Sequence, residues 1–172
     1  MKLTLLRHGI AQIRDGIMLD AERKLTSKGV QRTQQALIGL ATCCMDVDVI
    51  LTSPKLRALQ TAQMASEILD VSVHVENSLA QEDLLAIIKT LEMHPVDHVM
   101  IVGHEPTFTQ LAQYLCTSQN ATDVISPMMV LKKSGAMQLE LERTCAGHLR
   151  RPGCLLWLLQ PSILRVLGRQ AK

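Results

Sequence analysis

The sequence predicts an α/β fold, a three-layer αβα sandwich in which a mostly parallel central sheet is covered by helices on both faces. Two observations carry this. Short, largely apolar runs recur at residues 3–6, 47–51 and 99–102, as in strands buried on both faces, and between them lie longer stretches with apolar residues at helical spacing. The chain has 172 residues, which suits a single domain over 1–172 with one continuous core, since two halves would each core poorly.

The elements follow in order. Residues 2–7 form the first strand and run into a turn at Gly9; residues 11–24 are polar and read as irregular. Thr26 is placed to cap a helix whose apolar stripe is Val30, Ala36, Leu37, Leu40 and Ala41. Residues 47–51 make the second strand. Ser53 before Pro54 then reads as an N-cap with proline at the first helical position, opening a helix through Leu56, Leu59, Ala62, Ala65 and Leu69.

Residues 71–75 are a short β-branched strand, and a helix follows over about 82–92 with Leu84, Leu85, Ile87, Ile88 and Leu91 as core candidates. The fourth strand, 99–102, ends at Gly103-His104. A helix over 106–116 presents Phe108, Leu111, Ala112 and Leu115. After a polar linker at 118–123, residues 135–142 alternate Met137, Leu139 and Leu141 against Gln138, Glu140 and Glu142, which predicts a half-exposed strand near an edge. A basic loop over 143–153 joins it to a last strand at 154–159, the pair forming a hairpin.

Composition excludes several classes of function. Eighteen basic and sixteen acidic side chains leave a net charge of +2, and only Phe108, Tyr114 and Trp157 are aromatic, so neither a nucleic-acid surface nor a base-stacking platform is expected. No run approaches the length of a membrane span, and the apolar stretch before Arg7 is too short for a signal sequence. Five cysteines, odd in number and without a Cys-x-x-Cys pair, read as reduced thiols of a cytoplasmic protein. Asn120-Ala121-Thr122 fits a glycosylation sequon, read here as a chance match. The methionines, Met128-Met129 included, read as core filler.

Function is carried by the strand ends, where open α/β sheets bind ligands. Arg7-His8-Gly9 follows the first strand, Ser53-Pro54-Lys55-Leu56-Arg57 the second, and Gly103-His104-Glu105-Pro106 the fourth. Two imidazoles and two guanidiniums would then face one pocket. Such a group repels itself unless an anion sits among its members, and phosphate, held also by two helix N-termini, is the natural candidate. Arginines alone could bind phosphate. The histidines need another reason, and a neutral imidazole is a competent nucleophile towards phosphorus where a lysine would be protonated. His8, beside Gly9, is the better placed of the two.

These segments resemble the histidine phosphatase superfamily, whose fold is phosphoglycerate mutase-like. Arg7-His8-Gly9 is similar to its first signature, Ser53-Pro54-x-x-Arg57-Ala58-x-Gln60-Thr61-Ala62 to its second and Val102-Gly103-His104-Glu105-Pro106 to its third. Lys24-Leu25-Thr26-Ser27-Lys28-Gly29 resembles the segment that opens the first helix, and Trp157-Leu158-Leu159-Gln160-Pro161 points to the small SixA-type phosphohistidine phosphatase branch. The resemblance implies that His8 takes a phosphoryl group in line and water then releases it. Arg7, Arg57 and His104 would hold the phosphoryl oxygens, with no metal and no cofactor. The implied partners are a phosphorylated histidine-containing phosphotransfer domain or a histidine kinase. A phosphatase of small phosphoesters and a phosphate-binding adaptor without turnover are the alternatives.

One position departs from the family pattern. Where larger members place a glutamate general acid, this chain has Gln81; Glu82 or Asp83 could substitute, or could be the acidic first turn of the next helix. An alcohol leaving group needs that proton, whereas a protonated phosphohistidine can leave as neutral imidazole, so the gap favours phosphohistidine. Lys55 either stands at the pocket rim, attracting an acidic partner, or is an exposed first-turn residue. Arg143, Arg150 and Arg151 read as a solvated charged loop, and His74 and His148 as ordinary surface or strand residues. Pro95 breaks the helical register that would let His94 and His98 share a metal.

Overall fold

Lys2–Arg7 (β1), Val49–Thr52 (β2), Val73–Val75 (β3) and His98–Gly103 (β4) run parallel; Ala136–Glu140 (β5) pairs antiparallel with β1, and Cys154–Leu159 (β6) antiparallel with β5. The spatial order is β3-β2-β4-β1-β5-β6. The computed structural model describes residues 1–13, 18–44, 46–81, 83–118 and 129–171.

Side-chain alternation along the strands builds two cores. Leu3, Leu5, Val49, Leu51, Val99 and Ile101 face the layer formed by Leu84–Glu92 (α3) and Thr107–Cys116 (α4). Leu6, Ile50, Met100 and Val102 face the opposite layer of Ser27–Ala41 (α1), Leu56–Leu69 (α2) and Pro161–Gln170 (α5). The sandwich is therefore three layers thick, as its periodicity requires. Gly39 and Gly168 let α1 and α5 touch backbone to backbone: a Cβ on Gly39 would lie 1.9 Å from the Leu164 carbonyl oxygen, and one on Gly168 2.3 Å from that of Gln35.

Thr26 caps α1 as expected, accepting the Gly29 amide at 2.9 Å. Several expectations need correction. The second helix starts at Leu56 with Lys55 at its cap; Ser53 sits three residues ahead of the helix, and its hydroxyl accepts the Lys55 amide at 3.3 Å and meets His104 at 2.9 Å. Val30 and Leu85, assigned to apolar stripes, are 40% and 58% exposed, because each lies on the outer side of its helix. β5 is interior and buried over its first four residues, since β6 covers its far edge and Gln138 finds partners inside.

The charged loop is also structural. Arg143 donates to the carbonyls of Leu91 and His94 at the end of α3, and Arg151 lies 3.6 Å over the Tyr114 ring. Arg150 alone behaves as a surface residue, pairing with the exposed carboxylate of Glu142. Met129 packs against the first core; Met128 and the sequon at Asn120 lie outside the described residues. α5 has no counterpart in the sequence reading, although Pro161 at its first turn announced it.

Candidate active site

Parallel strands β1, β2 and β4 end on one rim of the sheet, and each end delivers part of the site. β1 presents Arg7 and His8. The turn after β2 presents Ser53, with Arg57 in the first turn of α2. His104 follows β4 directly, and its ring centre lies 5.1 Å from that of His8. All four residues singled out from the sequence thus reach one place.

His8 is 6% exposed. Its Nδ1 lies 2.7 Å from the Gly9 carbonyl oxygen, which can only accept, so Nδ1 carries the proton and Nε2 keeps its lone pair. Arg57 Nε donates to that Nε2 at 3.2 Å. Burial pushes the His8 pKa down to about 3; the Gly9 carbonyl opposes the shift, while the charges of Arg57, Arg7 and Lys133 add to it. His8 is therefore neutral at physiological pH.

His104 is held the same way. Its Nε2 is 2.9 Å from the Ser53 hydroxyl, and its pKa is pushed down to about 2 by burial, then by His8, Arg57 and Lys55. Its Nδ1 is buried without a partner, as is Nε of Arg7, whose terminal nitrogen donates to the Leu131 carbonyl at 2.6 Å. Among the described residues neither atom has a partner, and a polar ligand at this rim would relieve a cost of about 1–3 kcal/mol for each.

The sequence reading missed Asp20. Its Oδ2 accepts from a terminal nitrogen of Arg57 at 2.9 Å, its backbone carbonyl accepts from the other, and Arg23 and Lys55 complete its surroundings. Burial opposes ionisation of this carboxyl. The Arg57 and Arg23 hydrogen bonds and the Lys55 charge outweigh it and hold the pKa well below the usual carboxylate range. Lys55 thus lies at the rim of the site, with its charge turned to Asp20. An Asp-x-x-Arg pair at 20 and 23 inside a polar stretch was the available signal. Lys133 was also missed: the loop before β5 wraps the end of β1, with the Ser134 amide bonded to the Arg7 carbonyl at 3.0 Å, and this brings the lysine near His8.

The carboxylates near the rim are otherwise committed. Glu105 caps α4 through the Thr109 amide and hydroxyl, and Asp83 caps α3 through the amides of Leu85 and Ala86. Gln81 is exposed and makes no side-chain hydrogen bond to His8, His104, Arg7 or Arg57; Glu82 lies outside the described residues. His94 and His98 part company, the first bonded to the Thr90 carbonyl and the second buried against Thr4. His148 pairs with Glu92, and His74 is exposed on β3.

The profile of the histidine phosphatase superfamily (branch 1) matches residues 3–84. An uncharacterized protein of Picosynechococcus sp. is 33% identical over 144 residues, covering 81% of this chain and 84% of its own. Among solved structures, the protein histidine phosphatase SixA complexed with tungstate superposes with a TM-score of 0.75 at 23% identity, over 94% of this chain and 98% of that one. A mycobacterial glucosyl-3-phosphoglycerate phosphatase complexed with VO3 gives 0.68 at 17% identity, over 92% and 99%.

Proposed function

Because the chain belongs to the histidine phosphatase superfamily, branch 1, we propose that it is a phosphatase acting on phosphohistidine in proteins, such as phosphotransfer domains or histidine kinases, with His8 as nucleophile. The observation that carries the choice of substrate is the state of the one described carboxylate that touches the ring of cations. Asp20 is locked ionised between Arg57, Arg23 and Lys55, and so cannot supply a proton to a leaving group. Among the described residues, then, no carboxyl at the cations is free to give up a proton, which suits a substrate that leaves with its own.

The first step forms a bond between His8 Nε2 and phosphorus as the bond to the substrate imidazole breaks. That imidazole, protonated on its other nitrogen, departs neutral. Arg7, Arg57 and His104 hold the phosphoryl oxygens, for which Arg57 must turn from Nε2 to the incoming group. Phosphorylated His8 is cationic, and its Nδ1–H already donates to the Gly9 carbonyl, which favours that charge. Water then attacks phosphorus in line; the Nε2–P bond breaks, His8 returns to its neutral tautomer, and the proton of the water leaves with phosphate or solvent.

Tungstate, bound by SixA, is a tetrahedral oxyanion, in keeping with this reading. The test is acid-quenched labelling together with phosphate release from a phosphorylated phosphotransfer domain. We expect transient label on His8 and none in His8→Asn. Faster turnover of sugar phosphates or phosphoserine than of phosphohistidine would move the assignment to small phosphoesters, and no label on His8 would leave a phosphate-binding adaptor.

A further inference from the structure

A groove of about 570 Å³ runs from Arg7 past the loop before β5 to the first turn of α5, and Arg32, Lys132, Lys133 and Arg165 line it together with Arg7. Among the described residues, no carboxylate lines it. Arg32, Lys132, Lys133 and Arg165 make no ion pair or hydrogen bond with any described residue, whereas Arg23, Arg57, Arg143 and Arg151 are all tied to acceptors of the chain. In a protein with a net charge of only +2, five cations on one groove are a local concentration of charge. Its field reaches the reaction centre, since Lys133 acts on His8.

We propose that this groove receives an acidic surface of the partner protein that carries the phosphohistidine, and aligns it so that the phosphoryl group meets His8. The proposal rests on the phosphohistidine reading above. A protein surface fits better than a second phosphate of a small molecule. Arg32, Lys132 and Lys133 are exposed, and the cations come from α1, the loop before β5 and α5. A small dianion calls for fixed, buried donors, whereas flexible cations spread over three elements suit an extended face and act chiefly on the rate of encounter.

The test compares wild type with an Arg32→Glu/Lys132→Glu/Arg165→Glu variant, which leaves Arg7, Lys133 and the reacting residues in place. Two substrates are used: an acidic phosphotransfer domain phosphorylated with potassium phosphoramidate, and free phosphohistidine. We expect kcat/KM on the domain to fall about tenfold or more at low salt and its salt dependence to flatten, with turnover of free phosphohistidine unchanged within about twofold. Neutralising glutamates around the domain's histidine should lower wild-type kcat/KM in the same way and leave the variant indifferent.

Equal losses on both substrates, or no loss on either, would overturn the groove assignment while leaving the phosphohistidine reading intact. Binding of wild type, but not the variant, to vesicles of anionic phospholipid, with turnover of the domain unchanged, would assign the groove to a membrane instead. Failure of the wild type to dephosphorylate either substrate would overturn both proposals.

Discussion

Strand β4 carries a buried histidine at its start and a second just beyond its end, and the two live in opposite circumstances. His98 is 1% exposed and is served from all sides: Thr4 Oγ1 at 2.8 Å and Gln138 at 3.2 Å on Nε2, and Asp46 at 3.1 Å on Nδ1. Gln138 is itself held by Trp157 at 3.1 Å and reaches Cys44. His104, 8% exposed, has Ser53 on one nitrogen and, among the described residues, no partner on the other. A closed polar network fixes the sheet at one rim; an open one at the other rim waits for a partner.

Substitution of His8, the proposed nucleophile, should break this contrast most sharply. His8→Asn is expected to lower phosphate release by roughly ten-thousandfold or more while leaving the unfolding midpoint near that of wild type. Arg57→Ala comes next. Losing one arginine that stabilises developing charge should cost about a hundredfold to a thousandfold in kcat, read by single-turnover kinetics, and it should also free Asp20. At the closed rim the signs reverse: His98→Ala should leave turnover within about twofold and lower stability by roughly 2–4 kcal/mol in urea unfolding, because Thr4, Gln138 and Asp46 lose their common partner.

The contrast also explains what could be read from the sequence. His8, Arg7, Arg57 and His104 were legible because strand ends and turn residues announce them, and Thr26 was legible because capping is local chemistry. Ser53 reads as an N-cap, and its hydroxyl does accept the Lys55 amide at 3.3 Å; only the fold supplies His104 as its second partner. For Asp20 the local signal was only its spacing to Arg23: its role depends on Arg57, thirty-seven positions away, and a polar stretch reads as solvent-exposed by default. β5 was placed near an edge because Gln138 looks like an outward residue until Thr4, His98 and Trp157 are brought to it.

Acid should sharpen the comparison by the smallest amount. His8 and His104 are held neutral in the folded protein, at pKa values of about 3 and about 2, against an ordinary value of 6.5 when the chain unfolds. Below pH 6.5 the unfolded chain binds protons that the folded one refuses, so stability falls as pH drops through the window from 6.5 towards 3. At pH 5 each group should oppose folding by roughly 1–2 kcal/mol. His98 is lowered as well, by burial, but Asp46 pulls its pKa back up, so its contribution is smaller. Urea midpoints measured from pH 7 to pH 5 should therefore decline less steeply in His104→Gln than in wild type, whereas His98→Gln should be less stable throughout with a nearly unchanged slope. Tungstate should flatten the wild-type decline too, because an anion among Arg7, Arg57 and the two imidazoles supplies the charge that lets them accept protons. A slope that follows His98 and ignores His104 would show that the orphaned nitrogen belongs to the packing of the sheet and not to a ligand.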